Sequence, residues 1–263
     1  PQYRDQPWSD LTVTGYLIVL LLLFGIFMAT PIFLWVKLYE KRSLQSLGLV
    51  IDKSLLRFMT GTVAGVALIS AVMAILVFTG TWKVTAGTIA ERPTLTVVVA
   101  IVMFLFIILQ ASAEEILIRG YLLQVISARW TILIGMLITS VLFGVFHMLN
   151  AGFNLIGGLN LILFGAVLAL WTIQTGSLWE ACGFHTAWNW TFGILYGTTE
   201  TARITVFSAQ VEAQTSAWLS GGTFGIEGSI FTTGLLLLAI GILLIKYPIR
   251  ITTPLDVPEP VEA

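Results

Sequence analysis

The sequence predicts an all-α protein: a polytopic transmembrane helical bundle of about seven spans, with the N-terminus outside and the C-terminus cytoplasmic. Three observations predict it. Hydrophobic residues make up 57% of the chain and charged residues 10%, whereas a soluble domain is about a quarter charged. The mean hydropathy is +0.94, and the apolar residues come in blocks long enough to cross a bilayer. Lys and Arg gather in alternate connectors, which orients the blocks.

The spans are taken in order. Residues 15–38 form the first, with Pro31 expected to kink it and Trp35 at an interface. A basic connector, 39–55, leads to the second span, 56–78. There Gly61, Ala64, Gly65, Ala67 and Ala71 permit close helix contact. After a Gly/Thr/Lys loop, the third span begins at Thr94 and ends in a charged cluster. The fourth covers 131–149 and contains His147. A Gly/Asn connector at 150–158 gives way to the fifth, 159–174. The turn Thr175-Gly176-Ser177 opens the sixth, 178–196, which contains His185 and Asn189. Residues 197–228 read as a Thr/Ser/Gly/Glu-rich loop in which 207–219 is a surface amphipathic helix. The last span is 229–247. Together 1–251 read as a single integral membrane domain, and 252–263 as a disordered, acidic, proline-containing tail.

Lys37, Lys41, Arg42, Lys53, Arg57, Arg129, Lys246 and Arg250 fall on one side of this arrangement. Arg4, Lys83, Arg92 and Arg203 fall on the other, so the first side is cytoplasmic. A net charge of −1 argues against a nucleic-acid partner, leaving the lipid bilayer as the evident surroundings. One cysteine, Cys182, excludes an intrachain disulfide and reads as a small packing residue. No signal-peptide pattern precedes the first block. Without a CaaX box the chain is expected not to be prenylated itself.

The chemistry concentrates at Ala113-Glu114-Glu115-Ile116-Leu117-Ile118-Arg119, since charges inside a bilayer are costly and mark functional positions. Glu115 and Arg119 are spaced i,i+4 with the acid first, the favoured helical ion pair. Glu114 lies about 100° around the helix and has no such partner. It is therefore the candidate general base, with Glu115 and Arg119 as its support. The chain has two histidines, each inside a span. His147 closes Phe143-Gly144-Val145-Phe146-His147. His185 shares a helix face with Asn189 four residues on. Two histidines, an amide and a spare carboxylate on three spans could activate a water and stabilise an oxyanion. The bland readings are a structural ion pair, helix-bridging histidines, Trp188 and Trp190 as bundle wall, Glu180 at an interface, and Asn154 and Asn160 as loop or helix-start residues.

Glu114-Glu115-x-x-x-Arg119, Phe143-x-x-x-His147 and His185-x-x-x-Asn189, in this order, resemble the CPBP family of intramembrane endopeptidases. That family includes CAAX prenyl proteases and bacteriocin-processing or immunity proteins. Arg119-Gly120-Tyr121, Phe143-Gly144 and Thr175-Gly176-Ser177-Leu178 add to the resemblance, which covers about 105–195 and extends weakly to Ser46-Leu47-Gly48. It implies that Glu114 and His147 hold and activate the attacking water. It implies that His185 and Asn189 stabilise the oxyanion while Glu115 and Arg119 support the site. The substrate would be a membrane-associated peptide or protein, and access from the cytosol.

No cofactor is certain. Glu114, His147 and His185 would supply three zinc ligands and leave a place for water, whereas the absence of HExxH favours a metal-free glutamate and water. A second class of function is a non-catalytic structural or regulatory subunit of a partner membrane complex. A transporter is disfavoured by the lack of inverted repeats. One depth argument constrains any shared site. Helical rise puts Glu114 about 22 Å from Arg129 and His147 about 24 Å from Thr131, but His185 only about 12 Å from Ser177. Residues 121–130 are therefore expected to lie along the interface.

Overall fold

The computed structural model describes residues 7–198 and 203–246. The acidic tail expected at 252–263 lies outside the described residues, as does the end of the last predicted span. Helix α1 (Pro7–Leu34) runs through Pro31 and widens into a π turn at Trp35–Tyr39. Helix α2 (Ser54–Phe78) is followed by strand β1 (Trp82–Ala86). Helix α3 (Pro93–Glu115) starts with a proline, whose missing N–H costs nothing in the first turn. It passes through a π turn, Ile116–Leu122, into α4 (Leu123–Arg129). Next come α5 (Ile132–Phe146), α6 (Leu155–Thr175) and α7 (Trp179–Trp190), the last ending in a π turn at Thr191–Leu195. Strand β2 (Phe207–Val211), the single-turn α8 (Ala217–Ser220), a 3₁₀ segment (Gly222–Gly228) and α9 (Ile230–Lys246) complete the described chain.

Each expected span coincides with a helix, but among the described residues five rather than seven are long and apolar enough to cross a membrane. These five make the chain an integral multi-pass membrane protein by length and composition. The fourth expected span is a 15-residue helix, α5, and the sixth is the 12-residue α7. Helix α7 packs inside the bundle, whereas α5 keeps Leu133, Leu137, Val141 and Phe146 exposed on its outer face. Every α7 residue from Glu180 to Trp188 is buried.

Small residues set how deeply α7 sits. A Cβ on Gly61 would come within 2.0 Å of the Glu180 carbonyl oxygen, and one on Gly183 within 2.0 Å of the Phe58 carbonyl oxygen. Gly65 meets the Phe184 carbonyl in the same way. Backbone-to-backbone approach of this kind needs glycine on both helices. At the end of the bundle bearing the basic connector, Gly48 accepts a backbone hydrogen bond from Leu178 at 2.9 Å. A Cβ on Gly120 would touch both Leu178 and Leu47 at 3.0 Å. Three sequence fragments far apart in the chain thus meet at one joint.

That joint resolves the depth mismatch. Gly120 on α3–α4 lies level with Leu178 on α7, so Glu115 and His185 are level with each other further in. Residues 121–129 do not lie along an interface as a separate segment. They continue the α3 helix to Arg129, projecting about 14 Å past the Ser177 turn, and α5 returns alongside them.

The expected amphipathic helix at 207–219 is also corrected. Residues 207–211 pair antiparallel with β1, Trp82 opposite Val211 and Ala86 opposite Phe207. Alternating Phe207-Ser208-Ala209-Gln210-Val211 suits a strand edge; β1, contributed by a loop read as irregular, pairs along one side, and Ala209 N–H donates to the Tyr196 carbonyl at 2.9 Å. Glu180, expected at an interface, is buried and paired with Arg57 at 3.2 Å. Asn154 caps α6, accepting from Gly157 N at 2.8 Å. Asn160, read as a loop or helix-start residue, is instead a buried buckle. It donates to the carbonyls of Glu227 (2.7 Å) and Ser229 (2.9 Å) and accepts from Thr233 (2.6 Å).

Candidate active site

Glu115 and Arg119 form the i,i+4 pair at 2.8 Å, with both side chains fully buried. The guanidinium also donates Nη2–H to the Gly165 carbonyl at 3.2 Å and lies 4.6 Å over the Phe143 ring. Glycine at 165 leaves room for this approach, because a Cβ there would stand 3.2 Å from Arg119 Nη2. Glu115 Oε1 takes a second bond, from His185 Nδ1 at 2.8 Å. A carboxylate accepts only, so His185 carries its proton on Nδ1 and turns Nε2 away from Glu115. That Nε2 stands 4.0 Å from Glu114 Oε2, an ion-pair distance rather than a hydrogen bond. When His185 is protonated, charges alternate along Arg119, Glu115, His185 and Glu114, which is how buried charges are tolerated.

His147 ends α5 and is half-buried. Its Nδ1 donates to the Phe143 carbonyl at 2.8 Å, so in the neutral ring Nε2 is left with a lone pair. Phe143 packs edge-on to His185 at 5.6 Å and tilted against His147 at 4.5 Å, separating the two imidazoles by one ring. Asn189 donates to Gln110 Oε1 at 3.3 Å, and Gln110 donates in turn to Glu114 Oε1. The Glu114 carboxylate is therefore steered from its own helix, one turn earlier.

Glu114, His147, His185 and Asn189 all line one cavity of about 740 Å³. Leu17, Leu20, Phe24 and Phe27 of α1 form its apolar wall. Helix α1 packs mainly on α3 and otherwise leaves its apolar surface uncovered. From Glu114 the cavity extends past Gln110, Ile107 and Met103, about 16 Å along α3. That direction is toward the β1–β2 ribbon and away from the basic connector. Glu115 and Arg119 lie behind the lining.

Although Glu114, His147 and His185 share the cavity, no group of three His, Cys, Asp or Glu side chains among the described residues is arranged to hold a metal ion.

Three functional candidates escaped the sequence reading. Gln110 is the one long polar side chain in the apolar run 94–111, a signal that was available. Trp188, read as wall, lines the cavity and donates Nε1–H to Glu227 at 2.8 Å. Glu227 itself was hidden in a loop of glycines and threonines, although an acid set directly before the last apolar block is a mark of the same kind as Glu114.

Residues 94–191 match the family described as Type II CAAX prenyl endopeptidase Rce1-like. Over these residues the chain is similar to that Rce1-like, CPBP-type family. The match encloses Glu114, Glu115, Arg119, His147, His185 and Asn189, and leaves Glu227 outside. The chain is also similar to the uncharacterized protein YyaK of Bacillus subtilis (strain 168), 41% identical over 86 residues. That alignment covers 31% of this chain and 28% of YyaK, so the chain spans less than a third of that relative. No solved structure matches.

Proposed function

We propose that the chain is an intramembrane endopeptidase that hydrolyses a peptide bond of a membrane-associated protein or peptide. The observation that carries this reading is the convergence of Glu114, His147, His185 and Asn189 on one cavity with an otherwise apolar wall. In the mechanism that suits this geometry, Glu114 accepts a proton as a water oxygen attacks the scissile carbonyl carbon, with His147 Nε2 holding that water. The new C–O bond leaves a tetrahedral oxyanion. Protonated His185, donating from Nε2, and Asn189, donating from Nδ2, stabilise it. The C–N bond then breaks and the proton held by Glu114 passes to the leaving amine. Arg119 and Glu115 orient His185 from behind. Gln110 keeps the Glu114 carboxylate turned into the cavity, and the Leu and Phe side chains of α1 limit water around the reacting bond.

Glu114→Gln tests the reading. Wild type and variant are reconstituted in liposomes with membrane-protein substrates, and new termini are identified by mass spectrometry. Loss of wild-type cleavage products by at least about 100-fold, with unchanged thermal unfolding, is expected for a general base. Unaltered products in the variant would sink the mechanism. A tolerated Glu114→Gln together with stable co-purification in a larger assembly would favour a non-catalytic subunit instead.

A further inference from the structure

Glu227 is the one cavity-lining carboxylate that neither the Rce1-like region nor the proposed hydrolysis uses. Its placement is built. Gly221, Gly222 and Gly225 all adopt positive φ, and Gly225 (φ 77, ψ −161) occupies a region open essentially only to glycine. These turns fold 221–228 back on the α5–α6 connector, where a Cβ on Gly152 would meet the Thr223 carbonyl at 2.5 Å. Asn160 holds the Glu227 carbonyl, and Trp188 holds one carboxylate oxygen.

Apart from the imidazoles of His147 and His185, the lining is one-sided in charge. Glu114 and Glu227 are its two carboxylates, and no Lys or Arg of the described residues reaches it. A substrate carboxylate set against Glu227 would meet repulsion, in surroundings that screen charge poorly. A guanidinium or ammonium would find an acceptor in Glu227, with the apolar α1 wall alongside for an attached hydrocarbon.

We propose that Glu227 is a specificity-determining residue that selects substrates carrying a Lys or Arg side chain beside the scissile bond. This rests on the proteolytic reading for its biological use, but the charge selection itself is measurable without cleavage. The full chain in maltoside micelles is titrated with dodecylguanidinium, dodecanol and dodecanoate, and binding is read from saturable shifts in thermal unfolding. Wild type binds dodecylguanidinium about tenfold more tightly than dodecanol, the size of one charge-assisted hydrogen bond, and dodecanoate most weakly. Glu227→Gln, which keeps an acceptor for Trp188, abolishes the difference, and Glu227→Asp retains part of it. Equal binding of the three probes, or an unchanged preference in Glu227→Gln, overturns the inference.

In a second arm, liposome-reconstituted protein receives membrane-anchored peptides with Lys, Ala or Glu flanking a cleavable bond. Preference for Lys that disappears in Glu227→Gln supports the inference. Cleavage indifferent to these residues overturns it while leaving the protease reading intact. Charge-selective probe binding with no cleavage of any peptide upholds the cation site and removes the protease.

Discussion

His185 and Arg119 share one oxygen: both donate to Glu115 Oε1 at 2.8 Å, from different helices. Glu115 is therefore the hinge between the buried cation behind the site and the imidazole in front of it. Replacing it with Gln leaves Arg119 charged and buried without its counter-ion, a loss of about 3–5 kcal/mol. Thermal unfolding in detergent should show this. The double variant Glu115→Gln/Arg119→Met should recover part of the loss, because it removes the orphaned charge as well.

Asn189 reaches Glu114 only through Gln110. If Asn189 supplies an oxyanion donor, Asn189→Ala lowers turnover by about 10²–10³-fold. Gln110→Ala, which loosens the carboxylate without removing a donor to substrate, should have a smaller effect. Both should unfold at nearly the wild-type temperature. Initial rates on a cleaved substrate separate the two, and equal effects would count against the assignment.

The α2–α7 contact admits no side chain at Gly61, where a Cβ would lie 2.0 Å from a backbone oxygen. Gly61→Val should cost about 1–3 kcal/mol through overpacking and should shift α7, together with His185 and Asn189. Gly15, with open space around its Cβ position, is the control: Gly15→Val should be neutral. Paired unfolding curves check both.

Glu40, just past the π turn that ends the first helix, ties it to the π turn Ile116–Leu122. It accepts from Tyr121 and Trp35 on Oε1 and from Arg42 on Oε2. Burial works to raise its pKa, but the bonds from Arg42, Tyr121 and Trp35 outweigh it and hold the carboxyl below its ordinary range. A depressed folded-state pKa means the contribution is complete above the usual glutamate range and is lost as pH falls through the folded-state value. The unfolding-temperature gap between wild type and Glu40→Gln should therefore be constant near neutrality and close in acid. A gap that widens in acid would contradict the network.

Sidedness can be measured at Asn150 and Lys53, both exposed and at opposite ends of the helical arrangement. With Cys182 buried, Asn150→Cys and Lys53→Cys offer the accessible thiols. If the basic connector is cytoplasmic, an impermeant maleimide applied to intact cells labels position 150 and not 53. The cavity, which runs from Glu114 toward the ribbon end, would then extend outward rather than toward the cytosol.

Much of this was legible in the residues. The apolar blocks announce the helices because an apolar run in a bilayer must close its own backbone hydrogen bonds, which a helix does locally. Glu115 and Arg119 could be paired from spacing alone, since i,i+4 geometry is a property of one helix. The small residues of α2 marked a close contact, though not its partner. The unusual polar residues of the spans named most of the site because hydrocarbon surroundings leave such residues few other roles.

What tertiary structure decided lies between elements. Which oxygen His185 bonds, that Gln110 links Asn189 to Glu114, and that Asn160 buckles the segment holding Glu227 all depend on contacts between distant residues. No local periodicity encodes them. The β1–β2 ribbon was unreadable because each strand is half of a hydrogen-bonding pair separated by more than a hundred residues. The depth of His185 followed from one joint, Gly48 and Gly120 against Leu178. By itself the sequence determined a helical membrane protein with a buried Glu/His chemistry, because burial in hydrocarbon constrains each residue singly. Only packing decided which groups share the cavity, because convergence is a relation among helices and not a property of any one of them.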